Sequence, residues 1–190
     1  MQLVLASSSP RRAELLEAAG FVFETLCAPV EEIPPGLLPP RELCSHNARL
    51  KARDAAHSRP ASVVLGADTI VCLGSDTLGK PGDHDDARRM LRALCGRTHE
   101  VLTGVCILDA GSNEIIEFIE ATRVTFRPVT EVNIEDYLAR VHPLDKAGAY
   151  AAQEDSGALI KSIEGSFSNV VGLPVERVTE ALAALGIRPR

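Results

Sequence analysis

The first dozen residues constrain the fold most strongly, because a short apolar run changes abruptly into helix-forming sequence. Leu3-Val4-Leu5-Ala6 is typical of a buried strand. Three serines, a proline and two arginines follow at once, and a helical pattern extends over 13–19. Ser9 suits the N-cap of this helix, and Pro10 suits its first turn, where the missing N–H costs nothing. The chain is therefore predicted to pass directly from a strand into a helix.

This strand-to-helix corner gathers backbone N–H groups, hydroxyls and guanidinium groups. Ser7, Ser9, Arg11 and Arg12 all belong to it. Such a set of donors suits an anion with several oxygens, and phosphate is the commonest biological case. The alternative interpretation is a capped helix followed by two solvated arginines, and the corner alone does not decide between them.

Composition narrows the class of protein. A chain of 190 residues with 45% apolar residues suits one α/β domain over 1–190 with a substantial core. The net charge of -6 disfavours a surface that grips nucleic-acid backbones stably. We also expect no signal peptide and no membrane-spanning segment, since a strand begins at once and no apolar run is long enough.

The cysteines and histidines indicate no metal cluster. The five cysteines are widely spaced without a C-x-x-C pair, and the five histidines are scattered. This pattern predicts reduced thiols and a cytoplasmic location, and it makes a zinc site improbable.

Strands and helices alternate along the chain without internal repeats. Strands are predicted over 3–6, 21–27, 63–65, 70–73, 99–108, 115–126 and 159–163, and helices over 13–19, 41–57, 83–94, 130–139 and 174–185. Thr130 is expected to cap its helix, with Asn133 too short to complete a capping box. The long central strands predict a mixed sheet rather than a strictly parallel one.

Several charged residues stand out, although each has an ordinary structural explanation. Asp68 follows the apolar strand 63–65, where open α/β sheets build their sites, but aspartate is also common in turns. Glu32 lies in a proline-rich loop over 28–40, and Lys51 lies in a helix among arginines; both could simply be solvated. Lys80 is flanked by Gly79 and Pro81, which favours a defined backbone close to a ligand.

Taken together and in order, these motifs resemble the Maf family of nucleoside triphosphate pyrophosphatases, once described as septum formation inhibitors. The resemblance covers essentially the whole chain. It rests on the SSSPRR corner, Glu32, Lys51, GADT over 66–69, GKP over 79–81, DKAGAY over 145–150 with Gln153, and GSFSNVVGLP over 165–174.

The resemblance implies a Maf/Ham1 (ITPase-like) α/β fold, in which an elongated mixed sheet with flanking helices forms two lobes around a central cleft. It also implies a homodimer and hydrolysis of a nucleoside triphosphate to the monophosphate and diphosphate, which cleans the nucleotide pool. By similarity, Asp68 is the proton acceptor. Glu32 and Asp68 supply oxygen ligands suited to a divalent cation, Mg²⁺ or Mn²⁺. The implied phosphate-binding residues are Ser7, Ser9, Arg11, Arg12, Lys51 and Lys80.

Within the family, the resemblance indicates the branch that acts on dTTP and UTP. The residues that would select the substrate are Arg11, Thr69 and Gln153, and a glutamine amide can match both O4 and N3–H of uracil or thymine. CTP stays possible because an amide can flip, and the 7-methyl-GTP branch is the alternative. Glu154 and His46 depart from the usual family pattern and could alter base preference or phosphate affinity.

Two other classes of protein share part of this inventory. A nucleotidyltransferase also places a basic loop after its first strand, but it would consume an acceptor together with the triphosphate. A non-enzymatic regulator of cell division would bind nucleotide without turnover. The set of Glu32, Lys51, Asp68 and Lys80 argues against a pure sensor, which has no need of a group that activates water.

Overall fold

The computed structural model describes residues 2–27 and 29–190, so Ala28 of the predicted proline-rich loop lies outside the described residues. The strands are β1 Gln2–Ala6, β2 Phe23–Thr25, β3 Ser62–Leu73, β4 Asp76–Leu78, β5 Thr98–Asp109, β6 Ile115–Phe126 and β7 Ile160–Glu164. The helices are α1 Pro10–Ala18, α2 Pro40–Ser58, α3 His84–Leu94, α4 Glu131–Leu138, α5 Phe167–Val171 and α6 Val175–Ala184.

The seven strands form one mixed sheet, as expected. Their order is β2-β1-β3-β5-β6-β7, and β4 pairs with β3 off this path. β1 runs parallel to β2 and β3, whereas the pairs among β3, β5, β6 and β7 are antiparallel. Long central strands and flanking helices give the mixed α/β architecture that the sequence predicts.

The prediction of a strand end and a turn around Asp68 is wrong. β3 is one continuous strand of 12 residues, and Asp68 lies inside it, opposite Gly104 of β5. The parallel partner β1, however, ends at Ala6, which pairs with Gly66. Asp68 therefore lies just beyond the end of β1, at the edge where the strand-to-helix corner begins.

Gly66 pairs with both β1 and β5, and it has to be a glycine because α2 packs tightly against the strand at this position. A Cβ atom at Gly66 would lie 2.3 Å from the carbonyl oxygen of Ala48 in α2, and one at Gly104 would lie 2.4 Å from that of Cys44. The face of α2 that packs on the sheet is accordingly rich in small residues, which are Cys44, Ala48, Ala52 and Ala55. This close approach brings the polar residues of the same helix near Asp68.

The opposite face of the sheet carries two separate apolar clusters. One packs α1 and α6 on Val63, Leu65 and Ala67 of β3. The other packs α3 and α4 on Val71 and Leu73 of the same strand. Since side chains alternate along a strand, Thr69 points to this face between the two clusters. The clusters form the two lobes, and the cleft between them lies beside Thr69.

The N-terminus of α4 differs from a second expectation. Thr130 does cap this helix, but Asn133 is long enough to complete the capping box: its Oδ1 accepts the Thr130 backbone N–H at 3.0 Å.

In the part of the chain that the structure describes, none of the helices has the length and apolar character needed to cross a membrane.

Candidate active site

The residues predicted for the site all line one cleft of about 300 Å³ between the two lobes. The cleft begins where β1 ends and α1 starts, and it crosses β3 to the segment around Tyr150. Lysine and arginine side chains outnumber carboxylates in its lining, five against three. The predicted residues along it are Ser7, Ser9, Arg11, Arg12, Glu32, Lys51, Asp68, Thr69, Lys80 and Gln153.

Two carboxylates and one ammonium group meet on the α2 side of this cleft. Lys51 Nζ lies 2.9 Å from Asp68 Oδ1 and 2.8 Å from Glu32 Oε2. Asp68 is 8% exposed, whereas Glu32 is half-exposed at the loop surface. Three distant segments of the chain, namely the loop, α2 and β3, therefore place their charged groups together.

The surroundings shift the pKa values of the two carboxylates in opposite directions. Burial raises the pKa of Asp68, although the positive charges of Lys51 and Arg12 oppose the rise. Burial also acts to raise the pKa of Glu32, but there the hydrogen bond and charge of Lys51 prevail and hold it below its ordinary value. Glu32 thus holds its negative charge more firmly, and Asp68 is the carboxylate better suited to accept a proton.

These two carboxylates fit a divalent cation that also binds phosphate. Among the described residues no group of three or more His, Cys, Asp or Glu side chains could hold a metal ion. Mg²⁺ usually takes only one or two carboxylates, together with substrate phosphates and water. Glu32 and Asp68, which share the ammonium group of Lys51, therefore suit a cation that arrives with a phosphate-bearing ligand better than a permanent structural metal.

Arg12 organises the corner from inside the protein. It is 9% exposed, and its Nε donates to the Gly172 carbonyl oxygen at 2.9 Å. Its Nη2 donates to Thr69 Oγ1 at 3.0 Å, and its Nη1 donates to Ser7 Oγ at 3.3 Å. Burial lowers the pKa of Arg12, while the charges of Asp68 and Glu32 oppose that change. The buried guanidinium group of Arg12 thus fixes the hydroxyls of Ser7 and Thr69 at the cleft.

Ser9 occupies the N-cap of α1, but its side chain makes no capping hydrogen bond within the described chain. The hydroxyl of Ser7 instead accepts the Ser9 backbone N–H at 3.1 Å. This contact closes the strand-to-helix corner and leaves the Ser9 side chain among the groups that line the cleft.

Arg11 reaches across the cleft to the 145–150 segment. Its Nη1 donates to Asp145 Oδ2, and its Nη2 donates to the Asp145 carbonyl oxygen at 3.1 Å. Lys146 Nζ donates to Asp145 Oδ1 at 2.8 Å from the other side. Partial burial works to raise the pKa of Asp145, yet Lys146 and Arg11 lower it to about 2. The carboxylate of Asp145 therefore stays ionised and orients Arg11.

The far end of the cleft is largely apolar. Val71, Val101, Val170 and Val171 line it with Tyr150 and Ala151. Tyr150 packs edge-on against His99 and Phe126, and its hydroxyl lies 2.9 Å from His99 Nε2. Its ring is therefore held by packing and by this contact, which leaves the valines as the apolar wall of the cleft.

The remaining predicted residues lie at the rim. Lys80 and Gln153 are exposed and face the cleft from different segments. Glu154, which departs from the family pattern, points toward Lys146, with Oε1 3.8 Å from Nζ. His46 lies on the exposed side of α2 and does not belong to the cleft lining. Neither departure thus adds a charge to the apolar end.

Sequence reasoning missed two groups at this site. Asn47 is buried on α2 and contacts both Asp68 and the loop that carries Glu32. Its signal was its position four residues before Lys51, on the same face of the helix. Asp145 was noted in the sequence only as part of the DKAGAY motif, and its contact with Arg11, beside that with Lys146, was not predicted.

The fold and the cleft define an α/β protein with a site for a polyanion and a carboxylate beside it. Comparison with known proteins gives the family: a family model described as Maf-like protein matches residues 2–185, and the chain belongs to this family.

Curated relatives extend over almost the full chain. A dTTP/UTP pyrophosphatase of Akkermansia muciniphila is 46% identical over 186 residues, which are 98% of this chain and 97% of the relative. Proteins of the same name from Pelotomaculum thermopropionicum and Bacillus cereus are 45% and 42% identical. The match to the Pelotomaculum thermopropionicum protein covers 97% of both chains. The match to the Bacillus cereus protein covers 98% of this chain and 96% of that relative.

Proposed function

We propose that this chain is a pyrophosphatase that hydrolyses dTTP and UTP to the nucleoside monophosphate and diphosphate. The observation that carries the proposal is the buried carboxylate of Asp68, which lies beside Lys51 and Glu32 in a cleft rich in cations. Membership of the Maf family and the names of the curated relatives support the same reaction.

The residues of the cleft can perform this hydrolysis as follows. A water molecule attacks the α-phosphorus and passes a proton to Asp68, while the bond between the α-phosphorus and the bridging oxygen breaks and diphosphate leaves. Before the nucleotide and its cation bind, burial raises the pKa of Asp68, which is the direction that suits a group accepting this proton. Arg11, Lys51 and Lys80 line the same cleft and would offset the charge that develops on the phosphate oxygens.

A divalent cation bound by Glu32 and Asp68 would supply further positive charge at the phosphate oxygens. In that bound state Lys51 would move from the two carboxylates toward a phosphate oxygen, since its flexible chain can follow the negative charge. Arg12 differs from the other cations, because its hydrogen bonds to Ser7, Thr69 and Gly172 keep it in place.

The base would lie against the apolar end of the cleft. There Gln153 would offer a donor and an acceptor to the O4 and N3–H edge of uracil or thymine. Arg11, held by Asp145, would stand between this end and the phosphates. A homodimer, a cytoplasmic location and a single domain over 1–190 stay predictions from the family resemblance and the composition.

The test is product analysis over a panel of dTTP, UTP, CTP, GTP, 7-methyl-GTP and ITP, each with Mg²⁺ and with a chelator. We expect metal-dependent release of diphosphate, led by dTTP and UTP. In water labelled with heavy oxygen, the label should enter the monophosphate, because attack occurs at the α-phosphorus. An Asp68→Asn variant should lose at least about a hundredfold in kcat, whereas Asp109→Asn, a change at the end of β5 outside the cleft lining, should not.

The other classes of protein give different results in the same assay. Turnover that requires an added phosphorylated acceptor would indicate a nucleotidyltransferase. Binding of dTTP without any turnover would indicate a nucleotide-dependent regulator. Release of diphosphate led by 7-methyl-GTP or CTP would retain the reaction but reject the base preference.

A further inference from the structure

The side chain of Asn47 holds the backbone of the loop that carries Glu32. Its Oδ1 accepts the Ile33 backbone N–H at 3.0 Å, and its Nδ2 donates to the Ile33 carbonyl oxygen at 3.1 Å. Asn47 is only 3% exposed, so these hydrogen bonds are shielded from water. The amide thus satisfies both backbone groups of the residue next to Glu32.

The same amide also reaches the buried carboxylate. Asn47 Nδ2 lies 3.4 Å from Asp68 Oδ2, on the oxygen that Lys51 does not approach. An amide nitrogen has two hydrogens, so one can serve Ile33 and the other Asp68. Asn47 therefore links the loop, α2 and β3 at the point where Glu32, Lys51 and Asp68 converge.

The loop needs such a link because it has little regular structure of its own. Residues 29–39 contain neither helix nor strand, and Glu32 is half-exposed. A segment of this kind is held by side-chain hydrogen bonds or moves. Asn47 provides two of these bonds one residue away from the carboxylate, from a helix that is packed tightly on the sheet.

We propose that Asn47 is a positioning residue that fixes Glu32 opposite Asp68 and so sets the geometry of the carboxylate pair for the triphosphate. The inference rests on the proposed function. Asn47 acts on Glu32 through the backbone of Ile33, and its longer contact of 3.4 Å with Asp68 is the only one within the described chain that it makes with a proposed reacting group. Groups of this kind, which orient the residues that hold a ligand, typically contribute about 10- to 100-fold to activity or affinity.

The first test is an Asn47→Ala variant, in which alanine preserves the helix but removes all three contacts. We expect kcat/KM for dTTP to fall about 10- to 100-fold, with most of the loss in kcat. Amide hydrogen exchange of Ile33 should speed up while the amides of α2 keep their protection. Asn133→Ala is the matched control, since that side chain also binds a backbone N–H but lies at α4. It should leave turnover and Ile33 unchanged.

A double-mutant cycle with Glu32→Gln separates positioning from simple packing. If Asn47 acts through Glu32, Asn47→Ala should cost less than about threefold in a chain that already carries Glu32→Gln. The proposal would be overturned if the losses in kcat/KM from the two substitutions simply multiply in the double variant. It would also be overturned if the Ile33 amide stays protected in the Asn47→Ala variant. Asn47→Leu, which keeps much of the side-chain volume, repeats the cycle if the alanine variant fails to fold. A wild-type chain without turnover would reject the proposed function, whereas uncoupled variants of an active chain reject only this role of Asn47.

Discussion

The ammonium group of Lys51 lies 2.9 Å from Oδ1 of Asp68, inside the protein. Only 11% of the Lys51 side chain and 12% of the Asp68 side chain are exposed, so water compensates little of either charge. Glu32 shares the same ammonium group at 2.8 Å. Before a nucleotide binds, Lys51 thus provides the positive charge that keeps two neighbouring carboxylates together.

Replacement of Lys51 by methionine should therefore destabilise the fold as well as impair the reaction. Asp68 would remain buried without its cation, which typically costs about 3 kcal/mol. Urea unfolding should measure this loss in the free energy of unfolding. The double variant Lys51→Met, Asp68→Asn should regain much of it, because no uncompensated buried charge remains. A double variant no more stable than Lys51→Met would contradict the role of the pair.

Arg11→Lys should weaken substrate selection while the positive charge is retained. The guanidinium group of Arg11 contacts both the side chain and the backbone carbonyl of Asp145, and a lysine cannot form this fork. The preference for dTTP over GTP, measured as the ratio of kcat/KM values, should fall about tenfold. Arg49→Lys is the control, since Arg49 forms a similar forked pair with Glu117 away from the cleft. An equal loss in both variants would reject a role in selection.

Gly66→Ala should displace α2 from the sheet. The new methyl group would lie 2.3 Å from the Ala48 carbonyl oxygen and 2.8 Å from the Ala52 nitrogen, so backbone must move. We expect a loss of about 2 kcal/mol or more in the free energy of unfolding, and lower kcat because α2 carries Lys51. Gly82→Ala, where nothing lies within 4 Å of the added atom, should leave both quantities nearly unchanged. Thermal unfolding and dTTP turnover would measure the two effects.

Much of the fold follows from local patterns that the sequence displays. The strand β6 agrees with its prediction at both ends, and the predicted helix over 41–57 is one residue shorter at each end than α2. The site residues could be named because their motifs resemble a family, and the structure places all of them along one cleft. Periodicity and motif order were sufficient for these features.

The errors arise where tertiary packing decides the outcome. Gly66 and Asp68 suggested a turn, but the glycine is needed for the close contact with Ala48. Asp68 pairs with Gly104 of β5, so β3 continues through this position. The contact between Asn47 and Ile33 joins a helix to an irregular loop, and no periodic pattern encodes it. Such contacts depend on how elements pack and could be found only once the fold was known.

The buried imidazole of His99 should make the stability of the protein fall in mild acid. Burial lowers the pKa of His99 to about 4, and the side chain is 2% exposed. Below about pH 6.5 the unfolded chain takes up a proton that the folded chain refuses, so stability present above this pH is lost as the pH falls toward 4. The loss is on the order of 3 kcal/mol. Urea unfolding at about pH 7.5 and about pH 4.5 should show a smaller decrease for His99→Gln, which can still bond to Tyr150 but does not titrate. An equal decrease in both proteins would show that other groups cause the acid sensitivity.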